Sequence, residues 1–268
     1  MHIIRFIDKN GQICFGHNYQ DDTAILLEGR LFEGLKDSGR PVPVKKLLAP
    51  VQPPAILCIG LNYYNHSREL GAESPKYPVL FMKNPAAVNH PGDPIILPSS
   101  CMDPLQVDYE VELAVIIGKS AKDVPAEEAL NYVLGYTIGN DVSARQWQKH
   151  SGGGQWVRSK SFDTFCPLGP EMVTTDEIPD PQTLQLKCFL NGQIMQDANT
   201  SDMIFPVATL IEYLSNSTTL LPGTVILTGT PGGVGFTRTP AVYLKPGDVV
   251  ELTVEVIGTL INTVAGCE

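Results

Sequence analysis

No two of the six cysteines, Cys14, Cys58, Cys101, Cys166, Cys188 and Cys267, are spaced as C-x-x-C. That absence excludes the common zinc and dithiol motifs and argues against a disulfide framework, so the thiols read as buried or incidental groups of a reducing compartment. Basic residues are scarce as well: 19 Lys and Arg stand against 29 Asp and Glu, a formal net charge of -10. A surface of that sign speaks against nucleic acid as a partner, because phosphate binding needs a basic face. It leaves room for an anionic substrate, since a bound cation and a few local Lys or Arg reverse the sign inside one pocket. No apolar run reaches the length of a bilayer span, so no membrane partner is expected. Met1 to Phe6 meets Asp8 and Lys9 too soon to be a signal peptide, and the expected location is cytoplasmic. The glycine-rich stretch Thr228 to Gly235 lacks the Gly-Lys-Ser/Thr of a phosphate loop and opens no convincing helix, which weakens a nucleotide reading. Internal repeats and low-complexity segments are absent too.

What is present is an ordinary globular composition, 43% hydrophobic and 18% charged, in a chain long enough for one large domain with a small appendage. The pattern divides the chain into residues 1–50, small and β-rich with a Pro-rich linker, and residues 51–268. In the first part Ile3 to Ile7 and Gln12 to Gly16 flank Asn10-Gly11, a hairpin signal because both residues tolerate positive φ; Thr23 to Leu27 adds a strand. Pro41, Pro43, Pro50, Pro53 and Pro54 then predict a linker in which regular ladders do not persist. The second part opens with a strand over 55–60, a short helix or turn over 62–70 and a strand over 79–83. Further on, 125–132 reads as a helix, 134–139 as a strand, 184–190 and 193–196 as a hairpin about Asn191-Gly192, 207–215 as a helix and 249–256 as a late strand. Strands outnumber helices and mostly lack βαβ spacing, so the expected class is α+β with mixed sheets.

The stretch around which the rest is organised is Val107 to Gly118. It alternates acidic and apolar residues, then runs into an apolar tail, and so predicts one strand with Asp108, Glu110 and Glu112 on one face. Such a row is either a solvated strand face or a set of carboxylates around a divalent cation. Asp141, at the end of a strand, is either a helix N-cap or a third carboxylate converging on Glu110 and Glu112. An all-oxygen set without His or Cys suits Mg²⁺, Mn²⁺ or Ca²⁺ and fits zinc poorly. His66 and Glu69, three apart, are either incidental helix-surface groups or an imidazole oriented by a carboxylate to act as a general base. Lys160 either snorkels or stabilises a developing oxyanion. Arg145 and Gln148, three apart on a helix expected after Asp141, either hold a substrate carboxylate or keto group or face solvent. Thr230, in the glycine-rich turn, can offer a hydroxyl beside backbone N–H groups to a small anion.

Together these segments resemble one family. Ile59-Gly60-Leu61-Asn62-Tyr63 with His66 and Glu69, Asp108-Tyr109-Glu110-Val111-Glu112-Leu113, Gly139-Asn140-Asp141-Val142-Ser143-Ala144-Arg145, Lys160-Ser161-Phe162-Asp163 and Leu227-Thr228-Gly229-Thr230-Pro231 are similar to the motifs of the fumarylacetoacetate hydrolase family, in its order, across roughly residues 55 to 264. The resemblance implies a β-sandwich-like roll, usually a homodimer, with a Mg²⁺ or Mn²⁺ site. It implies Glu110, Glu112 and Asp141 as metal ligands, with Asp108 outside that set and either paired or solvated. It implies His66 and Glu69 as a water-activating dyad, Lys160 as an electrophilic lysine, and Arg145, Gln148 and Thr230 as substrate contacts, with Lys83 nearby. The activity implied is metal-dependent cleavage of a C–C bond in a small anionic 2,4-diketo acid through a pyruvate-type enolate. Oxaloacetate decarboxylation and dienoate isomerisation share the scaffold, and a silent binding protein is the reading from another class. Ser151 to Trp156 reads as a mobile lid.

Overall fold

A computed structural model describes residues 1–151 and 153–267. Four strands open the chain: β1 (His2–Asp8), β2 (Ile13–Gln20), β3 (Thr23–Arg30) and β4 (Gly34–Leu48). β1 pairs with both β2 and β4, and β3 joins β2 to β4, so the four close into a small barrel around Ile4, Phe6, Ala24 and Val44. The prolines expected to end pairing do not end it. β4 runs through Pro41 and Pro43, which oppose Ile25 and Thr23. The Val44 N–H donates to Asp22 O at 2.8 Å, so even-numbered residues here face β3 and both prolines turn their missing donors away from it. On that other side β1 pairs only from Val44 onward, so no ladder bond is lost.

The chain continues through β5 (Ile56–Gly60), α1 (Tyr64–Glu69), β6 (Val79–Lys83), β7 (Val88–Asn89), β8 (Ile95–Leu97), β9 (Val107–Asp108), β10 (Val111–Ile117), β11 (Val133–Asn140) and β12 (Ser143–Ala144). Then come α2 (Val157–Lys160), β13 (Cys166–Thr174), β14 (Gln185–Leu190), β15 (Gln193–Asn199), α3 (Val207–Ser215), β16 (Val225–Leu227), β17 (Val249–Val254) and β18 (Gly258–Gly266). A large sheet follows the path β4-β1-β13-β11-β10-β16-β5-β6, and a second follows β15-β14-β17-β18-β8. Each path has one parallel pair, β16 with β5 and β18 with β8, so the mixed-sheet expectation holds. Among the described residues no helix is long and apolar enough to cross a membrane.

β10 is buried on both faces. Val111, Leu113, Val115 and Ile117 enter the core shared with Leu186, Leu252 and Val254 of the second sheet, whereas Ala114 and Ile116 enter a separate core with Cys58, Leu168 and Leu227. Two buried faces account for the uninterrupted apolar tail of this segment. Each fully buried Val, Leu or Ile contributes roughly 1.5–3 kcal/mol, so the carboxylates at the start of β10 stand on a rigid base.

The acidic stretch is not the single strand its alternation predicts. β9 ends at Asp108 and β10 begins at Val111. Side-chain acceptors replace ladder partners in the gap: Asp108 Oδ1 accepts the Tyr109 N–H at 2.9 Å, and Asn140 Oδ1 accepts the Glu110 N–H at 3.1 Å. The row of three acids on one face is therefore broken. The helix expected after Asp141 is delayed and wider: β12, which pairs with β9, comes first, and helical residues 145–146 then run into a π-helical turn over Trp147–Ser151. Asp141 caps nothing; its N–H donates to Glu110 O at 3.0 Å. The helix expected over 125–132 is a 3₁₀ segment, Ala126–Tyr132.

Candidate active site

α1 carries the dyad candidates. The turn that enters it places Leu61 at φ 54°, a conformation that costs a bulky residue about 1–3 kcal/mol and marks strain beside a site. His66 is buried, and its Nδ1 lies 2.9 Å from Glu69 Oε2. A carboxylate at Nδ1 holds the proton there and leaves Nε2 with the lone pair. Burial would raise the Glu69 pKa, but hydrogen bonds from His66, the Thr237 hydroxyl at 2.8 Å and the Gly233 N–H at 3.0 Å outweigh it and hold Glu69 below the usual range.

The carboxylates converge from three segments: Glu110 just before β10, Glu112 within it and Asp141 just after β11. One oxygen of each lies within 4.8 Å of the others, and all three residues are buried. At that separation and an effective dielectric near 20, each pair repels by at least about 3 kcal/mol. Cations offset part of this. Lys160 Nζ sits 2.6 Å from both Glu110 Oε2 and Asp141 Oδ2, and Lys83 Nζ is 2.6 Å from Asp141 Oδ1. Arg145 reaches Glu110 at 2.7 Å and Asp108 at 2.9 Å. Burial works against ionised Glu110, but the charges of Lys160 and Arg145 win and keep its pKa low. Lys160 is held charged in turn, because Asp141 and Glu110 overcome its desolvation. Among the described residues Glu112 has no such partner. Burial, then Asp141 and Glu110, push its pKa well up, against the Gly229 N–H that donates to it at 2.8 Å.

The glycine-rich turn does not present its amides to an outside anion. Its N–H groups hold the protein's own acids: Gly229 on Glu112, Gly233 on Glu69, and Gly235 and Phe236 on Asp108 at 2.8 and 3.0 Å. Gly229 adopts φ 101°, and a Cβ there would lie 2.7 Å from Asn62 Cβ, so glycine is required. The Thr230 hydroxyl donates to Val111 O at 3.0 Å and accepts from Gln196 Nε2 at 2.7 Å, tying the turn to β10 and β15.

A cavity of about 430 Å³ opens over this cluster. His66, Glu110, Glu112, Asp141, Arg145, Gln148, Lys160 and Thr230 line it; Glu69 stands behind His66. Ile59, Leu61, Leu70, Phe81 and Trp156 form its apolar side. Of the proposed lid, Gly152 lies outside the described residues, whereas Trp156 packs edge-on against Phe81 at 5.3 Å between ring centroids. A Cβ on Gly60 would come within 2.4 Å of the Trp156 ring. Gly60→Ala is therefore expected to displace the indole, shift tryptophan emission and cost about 1–3 kcal/mol, read as a fall of roughly 2–12 °C in Tm. Unchanged emission and Tm would show that Trp156 does not pack there.

Comparison with known proteins decides the lineage. The profile of the fumarylacetoacetate (FAA) hydrolase C-terminal family matches residues 55–265. The chain belongs to the fumarylacetoacetate hydrolase family. A second profile, Rv2993c-like, N-terminal, matches residues 1–50. The chain is 46% identical over 238 residues to the fumarylacetoacetate hydrolase domain-containing protein 2 homolog of Dictyostelium discoideum, covering 85% of this chain and 77% of that protein. It is 48% identical over 218 residues to the mitochondrial oxaloacetate tautomerase FAHD2A of Bos taurus, covering 81% and 68%. Its fold matches the crystal structure of 5-carboxymethyl-2-hydroxymuconate delta-isomerase from Mycobacterium smegmatis with a TM-score of 0.86 and 40% identity over the full length of both chains.

Four buried carboxylates, Asp108, Glu110, Glu112 and Asp141, face three buried cations, Lys83, Arg145 and Lys160. The cluster is one positive charge short, and the shortfall falls on Glu112. A hard divalent cation fits this all-oxygen set. Two groups carry more of the site than the motifs suggest. Lys83 is fully buried on Asp141, as the alternation of β6 allows: Phe81 and Lys83 face inward while Leu80 and Met82 are exposed. Gln196, on β15, has no motif at all; its Oε1 accepts the Val111 N–H at 3.0 Å, between two of the carboxylates, and only the fold brings it there.

Proposed function

We propose that this chain is a metal-dependent enzyme that interconverts the keto and enol forms of a small 2-oxo acid of the oxaloacetate class. The observation that carries the proposal is that His66, Lys160 and the carboxylates Glu110, Glu112 and Asp141 open on one cavity. The names of the bovine and mycobacterial relatives, a tautomerase and an isomerase, support a proton shift within one molecule.

Glu110, Glu112 and Asp141 would hold Mg²⁺ or Mn²⁺, which when bound supplies Lewis-acid polarisation of the 2-oxo group. His66 moves the proton between C3 and the 2-oxygen through Nε2, taking it from one and giving it to the other, while Glu69 holds the ring in place at Nδ1. An ammonium group has three donors; Lys160 places two on Glu110 and Asp141, leaving the third for the oxygen that becomes negative. Gln148 Oε1 accepts from Arg145 at 3.1 Å, so its amide N–H₂ is left for the substrate carboxylate. C–C hydrolysis of an acylpyruvate is the second reading, favoured by the apolar side of the cavity, which suits an acyl group. The proposal includes a homodimer, supported by exposed Leu80 and Met82 on edge strand β6, and a reducing compartment, cytoplasmic or mitochondrial, supported by the unbridged thiols Cys14, Cys58, Cys101, Cys166 and Cys188.

The test is product analysis on metal-stripped protein with and without Mg²⁺ or Mn²⁺. The expected result is metal-restored loss of the ultraviolet absorbance of enol-oxaloacetate, with no pyruvate formed. Pyruvate and carbon dioxide from oxaloacetate would replace this reading with decarboxylation, and acetate and pyruvate from acetylpyruvate would replace it with hydrolysis. A metal-loaded protein inert to both would overturn the enzyme reading for these acids.

A further inference from the structure

Three cationic side chains line the cavity: Arg145, Lys149 and Lys160. Two are already engaged with acids, Lys160 with Glu110 and Asp141, and Arg145 with Asp108 and Glu110. Lys149 has no carboxylate partner among the described residues. Its Nζ lies 4.1 Å from the centroid of the Phe236 ring, which the Arg145 guanidinium also approaches at 4.3 Å. The π-helical turn Trp147–Ser151 carries Lys149, and π-helical turns recur at functional sites. Lys149 is exposed at the rim of the cavity, and the ring steadies its ammonium there with no carboxylate within ion-pair distance among the described residues.

Charge balance says what would answer it. A divalent ion turns the buried cluster from one positive charge short to one in excess, which the carboxylate beside the 2-oxo group neutralises. A second carboxylate on the substrate then finds no cation left in the cluster. Lys149 is the cation that remains. We propose that Lys149 binds the distal carboxylate of a dicarboxylic 2-oxo acid, so that the site prefers dianions to monoanions of the same length. This rests on the reading above in one respect: the 2-oxo end of the substrate lies at the carboxylate cluster.

The test is calorimetric binding to the metal-loaded full chain of oxaloacetate and of 2-oxobutanoate, which carries a methyl where oxaloacetate carries its second carboxylate. Loss of a charge-assisted contact in Lys149→Met is expected to weaken oxaloacetate by about tenfold to a hundredfold and 2-oxobutanoate by less than about twofold, with Lys149→Arg restoring oxaloacetate to within about threefold. Equal weakening of both ligands, or oxaloacetate binding that ignores the substitution, would overturn the assignment. Binding is read apart from turnover: a selective Lys149 effect in a protein that converts neither acid supports this inference while overturning the tautomerase reading.

Discussion

His66→Gln is expected to lower turnover of oxaloacetate enol by about 10²- to 10⁴-fold, the range that a positioned general base contributes. The glutamine can keep a hydrogen bond to Glu69, so the cavity retains its shape while the group that carries the proton is gone. Metal content and the affinity for oxalate, which addresses the carboxylate cluster alone, should match the unsubstituted protein. Glu69→Gln should fall between the parent and His66→Gln, because an amide can still accept from Nδ1 and orient the ring but is a weaker acceptor than a carboxylate. Stopped-flow measurement of enol decay on metal-loaded variants checks both. Turnover unchanged in His66→Gln would remove the imidazole from the reaction and leave Lys160 as the group to examine.

Asp108→Asn is expected to be the most destabilising of these substitutions, although Asp108 itself does not line the cavity. Its two oxygens accept four donors: the N–H groups of Tyr109, Gly235 and Phe236, and Arg145 Nε at 2.9 Å. An asparagine turns one acceptor into a donor that faces donors and leaves part of a buried guanidinium charge unanswered. Breaking a buried pair this way costs about 3–5 kcal/mol, or roughly 6–20 °C in Tm for a chain of this size. Thermal melts by circular dichroism decide it, and a Tm within about 2 °C of the parent would show that the pair contributes little.

Much of the site was legible in the sequence because its chemistry depends on residue type at short spacing. His66 and Glu69 needed only three residues of separation and a helical turn. Glu110 and Glu112 needed alternation: both carboxylates lie in one cluster with Asp141, although β10 begins only at Val111 and leaves Glu110 outside the strand. Asp108 shows where alternation fails: two of its four donors are amides of a turn more than a hundred residues away and a third is Arg145, and period two carries no information about them. Pro41 and Pro43 show the opposite failure. A proline breaks a ladder only where its N–H is needed, and the side each proline faces is decided by register, which β3 and β1 set together. The residue pattern leaves Arg145 either on a substrate or on a solvated face; in the fold it lines the cavity and braces Asp108 and Glu110, and the cation without a carboxylate partner among the described residues is Lys149, four residues later.

The turn from Gly229 to Phe236 has a consequence for engineering. It supplies hydrogen-bond donors to Glu112, to Glu69 and to Asp108 from one short run of backbone. Those donors come from the main chain, so no substitution elsewhere can supply them, and a shift of the run moves three functions together. Transplanting the acids and the imidazole onto another β-scaffold would carry over the reactive atoms without the frame that sets their spacing. The smallest portable unit of this site is the side chains together with that loop.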